Sequence, residues 1–151
     1  MLRLLIPIFI ILWSCNEKNT DHNKQAKDTQ VSIDISQLDG NWKLITVNDT
    51  LFDIHQVYAL EDNKQPTLMI DTKNNKIGGY TGCNGFGGEA SYEQNKIKIN
   101  GPMEMTEQAC GGDWEERYLQ MLHHIDSCKV ETQLLIIVSA DQRMTFKKVE
   151  E

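Results

Sequence analysis

Four cysteines, four histidines and a run of carboxylates are the side chains of this 151-residue chain whose types could do chemistry. The histidines are His22, His55, His123 and His124. His123 and His124 are neighbours, and on a helix successive side chains point about 100° apart, so they do not converge on one metal ion. No Cys-x-x-Cys, His-Glu-x-x-His or Gly-x-Ser-x-Gly motif occurs. Cys110 as a nucleophile served by His123 or His124 is the remaining route to covalent catalysis, and it requires a free thiolate. The acids Glu104, Glu107, Asp113, Glu115 and Glu116 crowd one stretch. That is the pattern of a solvated face, whereas catalysis needs groups that converge and have perturbed pKa values. The expectation is a non-enzyme with no catalytic residue, no metal site and no cofactor.

Cys15 is set apart by what precedes it. Residues 1–14 hold Arg3, an apolar run from Leu4 to Trp13, and the small residue Ser14. A positive start, an apolar centre and a small residue at the cut make a secretory signal. The run is roughly half the ~20 residues a membrane-spanning helix needs, and Pro7 weakens a helix there. Leu12-Trp13-Ser14-Cys15 resembles the bacterial lipobox, in which the thiol is joined to diacylglycerol before cleavage just upstream. Residues 1–14 are therefore expected to be a lipoprotein signal peptide, and Cys15 the lipidated first residue of the mature chain. An ordinary signal cut elsewhere, or a short anchor left in place, are the other readings. Two or more acyl chains, at about 0.8 kcal/mol per buried methylene, hold a protein on a membrane stably. Residues 1–14 carry Arg3 and no acid, so a net charge of −7 for the whole chain becomes −8 for the remainder. Such a body is repelled by anionic headgroups and nucleic-acid phosphates. Membrane attachment by lipid alone and no nucleic-acid partner are expected. Asn16 fits outer-membrane sorting, which puts the chain in the cell envelope, facing the periplasm or exposed at the surface.

The elements that must position these groups begin beyond a tether. Asn16 to Gln30 has Ala26 as its one apolar residue, and so little apolar surface cannot offset the entropy of ordering a chain. Residues 15–32 are read as the lipidated cysteine and a flexible tether, spanning roughly 20–25 Å by random-coil scaling. The folded part, residues 33–149, is long enough for a single domain. Short runs with strand-like alternation recur along it: Asn41–Val47, Thr67–Asp71, Lys76–Thr81, Ala90–Tyr92, Lys96–Asn100, Lys129–Thr132, Leu134–Ser139 and Met144–Val149. Trp42, Leu44 and Thr46 fall on one face, as do Ile97 and Ile99, with lysines opposite. Trp114, Tyr118, Met121, Leu122 and Ile125 lie on one helical stripe, expected to face the core and close one end of the sheet. Asp113 and Glu116 are placed for a capping box. The stretch Asn48–Gln65 gives no clear signal. The fold expected is mainly β, a small α+β domain: a single antiparallel β-barrel-like sheet with one packed α-helix.

Gly78 to Gly88 is dense in glycine, which signals positive φ or close backbone approach. It lacks the lysine and Ser/Thr of a P-loop and the βαβ context of a dinucleotide site, so it reads as a tight structural turn. In an exporting compartment disulfides persist, and Cys83 has a partner in Cys110. Such a bridge, closing a loop of nearly thirty residues, stabilises by about 3–4 kcal/mol in the loop-entropy model. Cys128 is then left unpaired.

Gly40-Asn41-Trp42-Lys43-Leu44, Gly82-Cys83-Asn84-Gly85-Phe86-Gly87-Gly88, Thr106-Glu107-Gln108-Ala109-Cys110 and Glu115-Glu116-Arg117-Tyr118-Leu119-Gln120-Met121-Leu122 together resemble the META domain family, which includes the HslJ-like heat-shock lipoproteins of bacteria. The resemblance implies a compact β-barrel-like domain with one packed helix. It also implies an envelope lipoprotein linked to stress or to resistance against toxic compounds, without established catalysis. Three functions remain open. The first is non-catalytic binding of a protein or envelope component. The second is binding of a small amphipathic ligand in a pocket at the barrel mouth. The third is inhibition of a periplasmic or extracellular hydrolase through a disulfide-pinned binding loop, Asn84, Gly85, Phe86, Gly87 and Gly88.

Overall fold

A computed structural model of the chain describes residues 34–58 and 64–150. Residues 1–33, and with them the expected signal segment, the expected lipidation at Cys15, the expected tether and His22, lie outside the described residues.

β1 (Gly40–Val47) and β2 (Thr50–Leu51) form a hairpin, followed by β3 (Thr67–Asp71), β4 (Lys76–Tyr80), β5 (Gly85–Glu93) and β6 (Lys96–Met105). A helix, α1 (Trp114–His123), precedes β7 (Ser127–Glu131), β8 (Leu134–Ser139) and β9 (Gln142–Lys148). The strands make one antiparallel sheet in the order β6-β5-β4-β3-β1-β9-β8-β7, with β2 beside β1. The sheet curls into a half-barrel. Its two edges meet where the Cys128 N–H donates to the Asn95 carbonyl at 2.7 Å. The mainly β, barrel-like architecture expected from strand spacing is the one found.

Alternation explains most of the sheet. In β8, Leu135 and Ile137 are fully buried while Leu134, Ile136 and Val138 face outward, as period-2 side chains must. Ile97 and Ile99 likewise point inward between exposed lysines. Trp42 and Leu44 are buried, but Thr46 is not in their row. A bulge between Leu44 and Thr46 sets Thr46 opposite Thr145, on the outer face, because an inserted residue shifts the alternation. The unassigned stretch after β1 opens with a tight hairpin turn into β2. Asn48 and Asp49 take φ values of 50° and 61°, the left-handed geometry that a two-residue turn demands and that these residue types tolerate.

The glycine-rich segment is where structure and expectation part most. Only Thr81–Asn84 is a turn. Gly85–Gly88 begin β5, with Gly87 paired to Gly78 and Phe86 to Gly79. Ladder hydrogen bonds are made by the backbone, so residues without side chains can still be laid into a sheet. Gly79 has φ of +149°, and a Cβ there would run into the Thr67 carbonyl. The glycine therefore permits close approach of two strands. β6 also runs past Asn100 to Met105: Gly101 (φ 80°) and Pro102 sit where the register shifts, on an edge strand that can absorb a bulge and a proline.

Register gives the domain two distinct ends. The Asn48–Asp49, Thr81–Asn84 and Ala140–Asp141 turns share one end, and the Trp114 and Tyr118 side chains reach the sheet there, donating to the Thr81 and Thr67 carbonyls. The Thr72–Asn75 and Gln94–Asn95 turns share the other end, along with the 3-10 turn Ile35–Leu38 through which the described chain enters. The concave face between them is filled by Trp42, Tyr118, Phe146 and Leu122, all fully buried. Aromatic rings make up much of that packing. A cleft of about 380 Å³ lies at the edge formed by β7, lined by Cys128, Val130, Ile136 and Val138 among others.

Candidate functional site

The Thr81–Asn84 turn carries the densest polar geometry in the domain. Thr81 accepts through its hydroxyl oxygen from the N–H groups of Cys83 and Asn84, at 3.2 and 2.9 Å. Its own hydroxyl donates to the Glu115 carboxylate at 2.6 Å. Gly82 sits between with φ of +102°, its Cβ position already taken by the Ile54 side chain. Short side-chain-to-backbone bonds of this kind favour turns over strand continuation, which is why β4 ends at Tyr80.

Asn84 is 3% exposed, and its amide is saturated. The Nδ2 donates to the Gln108 carbonyl at 2.9 Å and to the two Glu115 carboxylate oxygens at 3.1 and 3.0 Å. The Oδ1 accepts from the Thr106 hydroxyl at 2.9 Å and the Gln108 N–H at 2.7 Å. One buried side chain thus ties the turn to the segment after β6 and to the first turn of α1. The Cys83–Cys110 disulfide is formed, with Cα atoms 6.0 Å apart, and reinforces the same junction. Cys128 is free and buried, and burial pushes its thiol up to about 11, so it stays protonated and unreactive at neutral pH.

Two expectations change here. The binding loop placed at Asn84–Gly88 is not a loop: Asn84 is buried, Gly85 to Gly88 are strand, and Phe86 packs its ring 6.0 Å from that of Tyr118. The exposed, pinned segment is Thr106–Ala109 with Gly111 and Gly112, around half-buried Cys110. The capping box is also absent. Asp113 makes no side-chain cap bond and instead faces Arg117 at 3.9 Å, while Glu116 accepts from Gln120 at 3.0 Å. Glu115, expected on a solvated face with the neighbouring acids, is half-buried and holds Thr81 and Asn84. Its signal in the sequence was only its place one residue after Trp114, whose ring donates to the Thr81 carbonyl at 2.8 Å.

The stripe on α1 does face the core: Trp114, Tyr118, Met121 and Leu122 are buried. Trp114 stacks on Phe52 with ring centroids 4.2 Å apart and on Tyr118 at 5.6 Å. Tyr58 lies beside Gly82, its hydroxyl without a hydrogen-bond partner among the described residues. Burial first, then the Glu115 carboxylate, raises its pKa, which keeps the phenol neutral. His55, His123 and His124 are exposed, and no three His, Cys, Asp or Glu side chains among the described residues come together to hold a metal ion.

A disulfide-pinned turn, a T-x-x-A-C segment and an aromatic helix joined in this way are compared with known proteins by family and by shape. The META domain family model matches residues 34–151. The chain belongs to the META domain family. No curated protein matches it. Among solved structures, the META domain here is similar to a Burkholderia xenovorans protein determined by NMR. The two are 25% identical with a TM-score of 0.61, over 78% of this chain and 87% of that one. A second NMR structure is 21% identical with a TM-score of 0.58, covering 77% and 95% of the two chains. The crystal structure of a DUF4847 family protein from Bacteroides vulgatus shares the fold at 8% identity and a TM-score of 0.53, covering 76% and 95%.

Proposed function

We propose that this META domain protein is a non-catalytic lipoprotein of the cell envelope, anchored through Cys15 to the outer membrane. It presents the pinned segment Thr106–Gly112 to a partner protein, in a role tied to stress or to resistance against toxic compounds. What carries the reading is the Asn84 junction. The groups with chemical potential, Thr81, Cys83, Asn84 and Glu115, spend their bonds on one another and on holding that exposed segment still. A segment fixed before binding loses less conformational entropy on association, which raises affinity without added contacts.

Charge suggests the partner's character. Glu104, Glu107, Asp113 and Glu116 are exposed on and beside the segment, so a partner with a basic surface is steered toward it. Leu51, 82% exposed in β2 of the β1–β2 hairpin, stands at the same end and offers an apolar contact. Inhibition of a basic envelope hydrolase is one form of this reading, since a rigid exposed loop is what such inhibitors insert. The alternative, a small amphipathic ligand, is favoured by the cleft beside Cys128 and would bind outside the barrel.

Site-specific photocrosslinking in envelope preparations tests the proposal. A crosslinker at Glu107 should capture a reproducible protein, and the same group at Lys73, at the opposite end of the sheet, should not. Capture from Lys73 alone, or from neither position at full labelling, would remove the pinned segment as the binding element.

A further inference from the structure

The outer face of β1, β9 and β8 breaks a rule that sheets usually keep. Lys43 and Lys147 are directly opposite each other in the ladder, and both are exposed. Like charges in that register repel and destabilise a strand pair. Among the described residues neither lysine forms an ion pair, whereas the neighbouring cations do: Lys129 pairs with Glu131 at 2.7 Å and Arg143 with Asp49 at 3.5 Å. Beyond Lys147 in the same outer row stands Leu134. Ile136 and Val138 follow along β8, half-buried and outward-facing. Lys148 belongs to the opposite side of β9, across from buried Trp42, with its ammonium 5.1 Å from that ring's centroid. After Leu134 in the outer row comes Glu131, whose carboxylate is taken by Lys129, so a chain whose net charge is −7 keeps two adjacent lysines on a partly apolar face with no ion pair to either among the described residues.

We propose that this face is a membrane-docking surface, by which the domain lies against anionic phospholipid with Lys43 and Lys147 at the headgroups and the β8 side chains beside them. Local charge decides contact at this range, because the net charge of the far side is screened within a Debye length of about 8–10 Å. The choice of a lipid surface over another anionic partner rests on the envelope-anchor reading above and on the position of the face toward the chain's point of entry. Attachment would then not be by lipid alone.

The buried hydrophobic side chains lie between Leu38 and Phe146, so a chain of residues 15–151 carrying Cys15→Ser keeps the core and has no acyl anchor. Sedimentation with vesicles of phosphatidylglycerol and phosphatidylethanolamine should show binding that falls with salt and is absent on phosphatidylcholine. Lys43→Glu with Lys147→Glu should weaken it by about tenfold or more, while Arg117→Glu, at the other end, should leave it unchanged. Lys147→Gln removes the repulsion and should not lower the melting temperature, which separates lost binding from lost folding. No vesicle binding, equal binding to phosphatidylcholine, or indifference to the two reversals would overturn the proposal. A concentration-dependent dimer abolished by the same reversals, without vesicle binding, would assign the face to a second copy of the chain instead. Because this assay uses no lipid modification, its outcome stands apart from whether Cys15 is acylated.

Discussion

Asn84 is the residue on which the distal end of the domain turns. Its amide is buried and every polar atom on it is used, and a neutral amide offers two N–H donors for a carboxylate and a carbonyl while its oxygen accepts from a backbone N–H and a hydroxyl. Asn84→Ala leaves the Gln108 N–H and the Glu115 carboxylate short of a partner in a half-buried place. The expected cost is about 2–4 kcal/mol of stability, read as a shift of the urea midpoint with the slope unchanged. Asn84→Asp should be worse at neutral pH, since it sets one carboxylate against another. It should recover partly as pH falls, because the folded state then favours the protonated form. An alanine variant as stable as the parent would show that the hydrogen-bond network contributes nothing. The identity of Asn84 could be read in the sequence as part of a turn. Its partners could not, because Thr106, Gln108 and Glu115 lie 22, 24 and 31 positions away, and only folding brings them together.

At the scale of elements, the disulfide and α1 act as one clamp. The bridge spans 27 positions, and its loop contains all of β5 and β6. Reduction should therefore cost about 3–4 kcal/mol by the chain-entropy argument. Denaturation midpoints with and without reductant measure this directly. Native gels should also show the reduced protein cleaved first at Thr106–Gly112 by added protease. A midpoint unmoved by reduction would mean the aromatic contacts of Trp114 hold the junction alone. The helix was legible because a stripe of large apolar residues at helical spacing has few other uses. Its cap was misread, since the S/T/D-x-x-E/Q pattern is satisfied by spacing, while Asp113 has φ of −112° and ψ of 0°, which turns its side chain from the N–H groups it would bind. The glycine-rich strand was misread for a related reason. Glycine weakens a strand on its own, but cross-strand neighbours Gly78 and Gly87 supply a ladder that needs no side chains.

For the molecule as a whole, the geometry separates the end where the described chain enters from the end that bears the disulfide-pinned segment. The described chain enters at the end bearing the Thr72–Asn75 turn, and the pinned segment stands at the other, with the core filling the space between. A protein arranged this way can be tethered at one end while the other remains free to bind. If Cys15 is the anchor, a palmitate analogue will label the native protein and Cys15→Ala will move it from the membrane to the soluble fraction. An alanine variant that remains fully membrane-bound would refute acylation as the anchor.

The sequence by itself determined the fold class, the family, the helix stripe and the pairing of Cys83 with Cys110. Each of these rests on local periodicity or on a compact set of motifs. Tertiary structure alone decided that Glu115 is a clamp for Asn84, that Gly85–Gly88 are strand, that Trp42, Tyr118 and Phe146 pack the concave face and that two lysines face one another on the outer sheet. The reason is the same in each case. Side-chain pattern reports what one segment prefers, but which residues stand opposite one another is set by strand register, and register is fixed only when all the strands are laid down together.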